Sequence, residues 1–396
     1  MVNYLFATEE QKELAADVRK ILDKELVPRI EEFENANNGL GGYPMEVHQK
    51  LVEAGYYGAY IPEEWGGLGL DPVTLGVIYE EMGKVDSGFA FAFAGSGCEF
   101  PKILKTGMSD EEKQMWADKI INEGAMGSFN LTEANAGSDA AAIRTTATYD
   151  EATDEWVING TKCFCSNAPT ASYFICVAWT DKTKKAREGV TAFFVEKERG
   201  VQIGKQENKM GLHLAGTSDV IYDNVRVPAD HVIGEVGKGF EVALGGIKGA
   251  SALVNCCSSL GMAQAALDEA IEYAKTRRQF GKRIIDFQGL SFIIADMATK
   301  VEAARALMYE SLVCARDNVD SGYVDLMIKQ YVTDTVMQVC EDAVQVAGGY
   351  GYMKDYPFER YMRNAKIFQI FGGTNQIKRK NLMRVIAGRD PEAVRK

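Results

Sequence analysis

Apolar residues recur at helical spacing from Thr8 to about Gly107, and again from Gly237 to the end of the chain. Near the N-terminus the repeat predicts one amphipathic helix, with a capping box from Thr8 to Gln11 at its start. Its apolar face is formed by Leu14, Val18, Ile21, Leu22 and Leu26. Further helical stripes follow in the C-terminal region, one formed by Leu253, Cys257, Leu260, Gln264, Leu267, Ile271 and Ala274, and the other by Leu290, Ile294, Met297, Val301, Ala304 and Met308.

Between these helical regions the sequence changes at about Gly124 to alternating Val, Ile, Thr and Phe with turn residues. Strands are predicted at 156–160, 190–195, 220–222 and 225–228, because β-branched and aromatic residues alternate there between turn signals. The β region closes near Gly234. The chain is therefore predicted to be a multi-domain α+β protein, with domains at 1–122 (helical), 123–235 (β) and 236–396 (helical).

The net charge of the chain bears on which kinds of partner it can bind. Lys and Arg number 44 against 56 Asp and Glu, a net charge of −12, which argues against nucleic acid or an anionic membrane as the main partner. The N-terminus has no basic segment followed by an apolar run, and no stretch reaches the roughly 18 apolar residues of a membrane helix. We expect a cytoplasmic protein in which local basic clusters bind any phosphates.

The cysteine and histidine content argues against a metal enzyme. The eight cysteines include no CxxC, and the chain has only three histidines. Zinc-ligand spacing is therefore missing, and we predict no metal site. Most of the cysteines are expected to be small buried residues in a reducing compartment.

The segment 345–376 contains two clusters of glycines and several spaced Lys and Arg residues. Gly348, Gly349 and Gly351 follow a periodic helix, where glycine can end the helix and expose backbone N–H groups suited to an anion. The spacing of Gln345, Gly348, Gly349, Gly351, Tyr352, Asp355, Arg360 and Asn364 resembles a signature of the acyl-CoA dehydrogenase family. The resemblance implies that family's fold: an N-terminal helical domain, a central β-barrel or sandwich and a C-terminal four-helix bundle.

A second segment, 129–139, resembles the family's other signature. A strand edge with backbone groups and the Thr132 hydroxyl can match the donors and acceptors of an isoalloxazine ring, and Gly137-Ser138 turns tightly. The resemblance implies FAD as cofactor. The FAD-binding residues that it implies are Phe129, Leu131, Thr132, Ser138, Phe164, Ser166, Arg277, Phe280, Gln288, Gln345, Gly348, Gly349, Thr374 and Gln376.

The resemblance also implies a homotetramer. Arg277 and Phe280 match residues that reach the FAD of a neighbouring subunit, while Thr374 and Gln376 match residues that contact the first subunit's FAD. A cofactor shared in this way requires an oligomer. Without the resemblance, Arg277 is explained as a cation that complements the end of a helix.

The usual catalytic base is absent from both family positions. Relatives carry a glutamate at the position of Gly372 or at that of Ser251, and neither is an acid here. The substrate-binding residues that the resemblance implies are Ser138, Ser251, Gly372, Gly373 and Arg384.

Glu99 is the candidate replacement. It directly follows the uncharged run 87–98, and a buried carboxyl in apolar surroundings is costly to keep ionised and is suited to proton transfer. The resemblance places it at the far end of the acyl pocket. The alternative is a helix-edge glutamate paired with Lys102 or Lys105.

Three functions remain open. The first is an FAD-dependent oxidoreductase acting on the CH–CH group of a short acyl-CoA or enoyl-CoA, with chemistry displaced down the acyl chain, for example a dienoyl-CoA reductase. The second is a non-redox lyase that retains FAD, a dehydratase or desulfinase, and the third is an inactive acyl-CoA-binding paralogue. The resemblance implies an electron-transferring flavoprotein as partner, and no G-x-G-x-x-G motif for a nicotinamide follows a strand.

Overall fold

The computed structural model describes residues 7–321 and 323–388, without the side chains of residues 246–251. The N-terminal region is helical, as predicted, and the capping box forms: Gln11 N donates to Thr8 Oγ1, and Thr8 N donates to the Gln11 side chain. Its helices are α1 (Glu9–Glu25), α2 (Ile30–Gly39), α3 (Met45–Glu53), α4 (Pro72–Val85), α5 (Ser87–Gly97), α6 (Phe100–Ile103) and α7 (Asp110–Glu123).

Helices α4 and α5 lie in the interior of the molecule. Helix α5 carries no charged residue and is buried on nearly all sides, which is what a helix without a polar face requires. Helix α4 is tied to the C-terminal region by a buried ion pair, in which Arg305 Nε donates to Glu80 Oε1 at 2.8 Å. These two helices therefore connect the N-terminal region to both other regions of the chain.

The middle of the chain forms one seven-stranded sheet in two portions. The portion β1-β4-β5 and the portion β2-β3-β7-β6 are joined by the pairing of Thr146 with Trp179, and side chains from both portions share one core cluster. The strands are β1 (Met126–Asn130), β2 (Thr146–Asp150), β3 (Glu155–Ser166), β4 (Ala171–Trp179), β5 (Val190–Glu196), β6 (Gln202–Gln206) and β7 (Thr217–Pro228). A short helix, α8 (Ala186–Gly189), precedes β5.

The C-terminal region is helical again, with one interruption. The first predicted stripe is broken, because a π-helix at Ser251–Cys256 separates α9 from α10. The elements are α9 (Gly239–Ala250), α10 (Cys257–Thr276), β8 (Arg278–Gln279), β9 (Lys282–Arg283), α11 (Gln288–Arg316), α12 (Val324–Ala347), α13 (Phe358–Phe368) and α14 (Asn375–Ile386).

The predicted fold class is confirmed, whereas the exact domain boundaries remain predictions. Among the described residues no helix is long and apolar enough to cross a membrane, and no cluster of three metal-ligating side chains occurs. Five of the eight cysteines are buried: Cys165, Cys176, Cys256, Cys257 and Cys340.

Candidate active site

A cavity of about 520 Å³ lies between α5 and the π-helix. Gly95, Cys98 and Glu99 line it from the side of α5, and Leu253 and Val254 line it from the π-helix. Burial raises the pKa of the Cys98 thiol to about 12, so this cysteine is protonated and unreactive at neutral pH. The lining also includes six charged residues, Glu99, Lys102, Lys105, Glu235, Lys238 and Glu241. A cleft of this size is typical of a small-molecule site.

Glu99 lies in this cavity, but it is not isolated. Its residue exposure is 9%, and Lys102 Nζ forms an ion pair with its carboxylate. The expectation of an unpaired carboxyl in apolar surroundings is therefore wrong, because the cation three residues further along the chain faces it. The helix-edge pairing with Lys102 does form, inside the cavity and not on the protein surface.

Lys102 also connects the cavity to the edge of the sheet, because its Nζ lies 5.6 Å from the centre of the Phe129 ring. Two hydrogen bonds fix the sheet against α5. Gly127 N donates to Ser96 Oγ at 2.6 Å, and Asn167 Nδ2 donates to the Ala92 carbonyl at 3.0 Å. The strand edge predicted to contact the flavin thus adjoins the cavity that contains Glu99.

This strand edge is held by a buried lysine that the sequence reading did not identify. Lys162 Nζ donates to the Leu131 carbonyl at 3.1 Å and to Glu133 Oε1 at 2.8 Å. Glu133 also accepts bonds from Thr145 N and Oγ1. Burial alone would raise the pKa of Glu133, but Lys162 and these bonds outweigh it, so the pKa is lower than usual. The pair fixes the backbone on both sides of Thr132.

Replacing Lys162 by methionine should lower the free energy of unfolding by about 3–5 kcal/mol, because the buried Glu133 carboxylate would lose its cation. Urea denaturation of the wild type and the variant measures this loss. Lys205→Met on β6, where the lysine is exposed, is the matched control and should change stability by less than about 0.5 kcal/mol. A Lys162→Met protein as stable as the control would contradict the role given to the pair.

Two other residues predicted to contact FAD, Phe164 and Ser166, lie at the end of β3. Phe164 is 63% exposed with φ 55°, and Ser166 accepts a bond from Ser128 Oγ through its carbonyl at 2.7 Å. A large exposed ring in a left-handed backbone conformation is costly for a monomer in water and suits a face that a ligand covers. Ser138 is exposed in the loop after β1 and does not line the cavity of Glu99.

A second cavity, of about 560 Å³, is lined by three of the residues that the resemblance implies for FAD. Arg277, Gly348 and Gly349 line it. A Cβ at either glycine would meet nothing within 4 Å, so the backbone is open to a ligand there. Phe280, on the adjacent β8-β9 turn, is 93% exposed with φ 50°. Gln288 and Gln345 are exposed on the first turn of α11 and the last turns of α12.

The loop before α14 contains the glycine pair predicted to contact substrate. Gly372 and Gly373 have φ values of 61° and 82°. The preceding Phe371 packs on Phe91 of α5 with ring centres 4.6 Å apart, which brings the loop to the same helix as Glu99. Thr374 caps α14 by accepting a bond from Ile377 N at 3.2 Å.

Three buried polar side chains surround the glycine pair. Lys329 Nζ donates to the Gly373 carbonyl and to Asn375 Oδ1, both at 2.9 Å. A Cβ built on Gly372 would lie 2.8 Å from Asn255 Nδ2, closer than real Cβ atoms approach another heavy atom. Gly372 and the Asn255 amide of the π-helix are therefore direct neighbours.

Comparison with known proteins identifies the family. The family models of the N-terminal, middle and C-terminal domains of acyl-CoA dehydrogenase match residues 8–124, 128–225 and 237–387. The chain belongs to the acyl-CoA dehydrogenase family. Subunit CarC of the caffeyl-CoA reductase-Etf complex of Acetobacterium woodii is 38% identical over 378 residues, 94% of this chain and 97% of that protein.

Two further relatives of the family are similar over nearly their full length. Acryloyl-CoA reductase (NADH) of Anaerotignum propionicum is 37% identical over 383 residues, covering 96% of this chain and 95% of that protein. The solved structure of butyryl-CoA dehydrogenase from Megasphaera elsdenii has a TM-score of 0.90 and 34% identity, covering 98% of this chain and all of that chain.

The remaining residues predicted to bind FAD or substrate are Gln376, Arg384 and Ser251. Gln376 and Arg384 are exposed on α14, and Arg384 does not line the Glu99 cavity. Ser251 begins the π-helix, but its side chain lies outside the described residues.

Lys162, Asn255 and Lys329 were not predicted as site residues from the sequence, whereas Lys102 was named there as a possible partner of Glu99. Two of these had a signal in the sequence: Asn255 is the one polar residue of the run 252–257, and Lys329 precedes Val332 and Val336 at helical spacing.

Proposed function

We propose that this chain is an FAD-dependent oxidoreductase that acts on the CH–CH group of a short acyl-CoA or enoyl-CoA, with Glu99 as its displaced acid or base. The main support for this proposal is the cavity beside α5, which contains the carboxylate of Glu99. Position 372, where relatives carry the catalytic glutamate, is a glycine in this chain. Such a reaction moves a hydride at one carbon and a proton at another. When bound, FAD supplies the hydride transfer. A side chain of the cavity must then donate or accept the proton.

The residues present fit FAD. The strand edge at Leu131 and Thr132, held by Lys162, offers backbone groups to the ring, and Phe164 is open to cover it. The open glycines Gly348 and Gly349 beside Arg277 suit a pyrophosphate. We infer that FAD lies between these two groups of residues in a homotetramer, with the second group contributed by a neighbouring subunit.

The position of Glu99 favours a carbon remote from the thioester. Phe91, which contacts the loop of Gly372, and Glu99 are eight residues apart along α5 and its extension, about 12 Å at 1.5 Å per residue. The separation supports proton exchange at a carbon remote from Cα, which the family resemblance places near C4 to C6. A dienoyl-CoA reduced through its conjugated system, with hydride and proton added at separate carbons, meets this requirement.

An electron-transferring flavoprotein is the proposed redox partner. One relative is a subunit of a reductase-Etf complex, and another is named a reductase with NADH. The described chain provides no nucleotide-binding strand-turn-helix of the nicotinamide type, so we propose that electrons arrive through a flavoprotein and not from NADH directly.

The decisive experiment compares turnover with and without a redox partner. The purified holoenzyme is offered saturated, 2-enoyl, 2,4-dienoyl and 5-hydroxyacyl CoA thioesters, in the presence and absence of an electron-transferring flavoprotein, which is supplied oxidised for the saturated thioester and reduced for the others. We expect turnover only with the flavoprotein, and slow flavin reduction by saturated butyryl-CoA. Turnover without any electron carrier would instead establish the lyase alternative. Absence of both turnover and flavin reduction would favour the inactive paralogue, and rapid flavin reduction by NADH alone would remove the partner assignment.

A further inference from the structure

A chain of hydrogen bonds runs through the interior of the sheet, behind the strand edge predicted to contact FAD. The Tyr222 hydroxyl donates to Asn130 Oδ1 at 2.8 Å, and Asn130 Nδ2 donates to Ser128 Oγ at 2.9 Å. The Ser128 hydroxyl in turn donates to the Ser166 carbonyl at 2.7 Å. Because side chains alternate along a strand, Ser128 and Asn130 lie on the face of β1 opposite Phe129. They are 1% and 0% exposed, so a ligand at the strand edge does not touch them.

The direction of this chain of hydrogen bonds is fixed by its last member. A carbonyl oxygen can only accept, so the single hydroxyl hydrogen of Ser128 points to Ser166. The Ser128 oxygen then accepts from the amide of Asn130, and the other end of that amide accepts from Tyr222. Asn130 therefore orients the Ser128 hydroxyl toward Ser166.

The segment 164–167, which receives the last of these bonds, has a backbone conformation that needs support from outside. Phe164 and Asn167 have φ values of 55° and 64°, in the left-handed region that is costly for residues other than glycine. The ladder partner of β1 is β4, so the contact between β1 and Ser166 is made by the side chain of Ser128. Ser166 is partly exposed, and its own hydroxyl makes no hydrogen bond to any residue that the structure describes. That hydroxyl is therefore available to a cofactor.

We propose that Ser128 is a positioning residue for FAD, oriented by Asn130, and that it acts by fixing Ser166 at the cofactor-binding edge. This inference rests on the FAD site of the proposed function and adds two residues that hold this edge without touching the cofactor. If the Ser166 carbonyl lost its donor, the segment 164–167 would be less well ordered before FAD binds. Part of the free energy of binding would then be spent on ordering the segment.

The test compares two buried hydroxyls at opposite ends of the same chain of hydrogen bonds. Ser128→Ala removes the donor to Ser166, whereas Tyr222→Phe, the matched control, removes the donor to Asn130 and leaves the bond to Ser166 in place. Both variants should lower the midpoint of urea denaturation, because each loses a buried hydrogen bond. Only Ser128→Ala should weaken FAD binding, by about 3- to 10-fold, and shift the visible absorption bands of the bound flavin. The affinity is measured by diluting the purified holoenzyme and recording the fluorescence of the released FAD.

A second variant decides the result if Ser128→Ala fails to fold. Asn130→Ala leaves the Ser128 hydroxyl without its orienting amide, so it should shift the flavin bands in the same direction, with a smaller loss of affinity. Wild-type affinity and spectrum in both variants would overturn the positioning role. Equal weakening of FAD binding in Tyr222→Phe would also overturn it, because a general loss of stability would then explain the effect. If the wild-type protein binds no FAD, the proposed function itself fails, which is a separate result.

Discussion

Glu99→Gln is expected to abolish turnover on the best substrate of the thioester panel, while FAD content and assembly stay unchanged. Glutamine preserves the size of the side chain and one acceptor oxygen for Lys102, but it has no negative charge and cannot exchange a proton. The loss of a general acid or base typically costs 10²- to 10⁴-fold in rate. The measurement is the steady-state rate with an electron-transferring flavoprotein, compared at equal flavin content.

The same cavity provides the control for Glu99. Glu235 also lines it but is exposed, so Glu235→Gln removes a carboxylate from the cavity without touching the buried end. This control should keep the wild-type rate within about twofold. If Glu99→Gln also kept near-normal activity, Glu99 would be only the partner of Lys102, a structural ion pair, and the acid or base would have to be sought elsewhere.

The environment of Glu99 differs from the one expected from the sequence, because Lys102 lies beside its carboxylate. An unpaired carboxyl would act as an acid because its ionised form is costly in apolar surroundings. Lys102 forms an ion pair with Glu99 inside the cavity, so the carboxylate is not isolated there. Lys102 also faces the Phe129 ring, which places the pair between the acyl cavity and the predicted flavin edge.

The architecture could be predicted because its determinants are local and repetitive. The stripe Leu14 to Leu26 specifies an amphipathic helix by spacing alone, and the run 190–195 specifies the buried strand β5. The π-helix could not be predicted from spacing, because only Leu253 of the predicted stripe lies in it and the rest, from Cys257 to Ala274, is regular in α10.

The detailed chemistry of the site depends on contacts between distant segments of the chain. Asn255 and Gly372 are neighbours only because the π-helix and the loop before α14 meet in the folded protein. Lys162 on β3 reaches Glu133 in the loop after β1 in the same way. Motif spacing can indicate that a residue is functional, but it cannot show which buried partner balances its charge.

Arg277→Ala is expected to weaken FAD binding and assembly together. Arg277 and Gln279 line the cavity that also contains Gly348 and Gly349, whereas Arg278 between them does not. This alternation follows from the extended backbone of the hairpin, in which successive side chains point to opposite sides. The loss of one charge-assisted hydrogen bond to a pyrophosphate costs about 1.5–3 kcal/mol, or about 10- to 100-fold in affinity.

Flavin absorbance per chain and sedimentation velocity measure the two effects of Arg277→Ala in one preparation. Arg278→Ala is the matched control, because it removes an equal charge one residue away on the opposite side of the hairpin, and it should retain both FAD and the oligomer. Joint loss of flavin and assembly in Arg277→Ala alone is what a cofactor shared between subunits requires, since one guanidinium then serves both. Loss of FAD with an intact oligomer would place the pyrophosphate within a single subunit. Full FAD content in Arg277→Ala would remove this cavity from the cofactor site, and the exposed Phe280 and the open glycines would then need a different ligand.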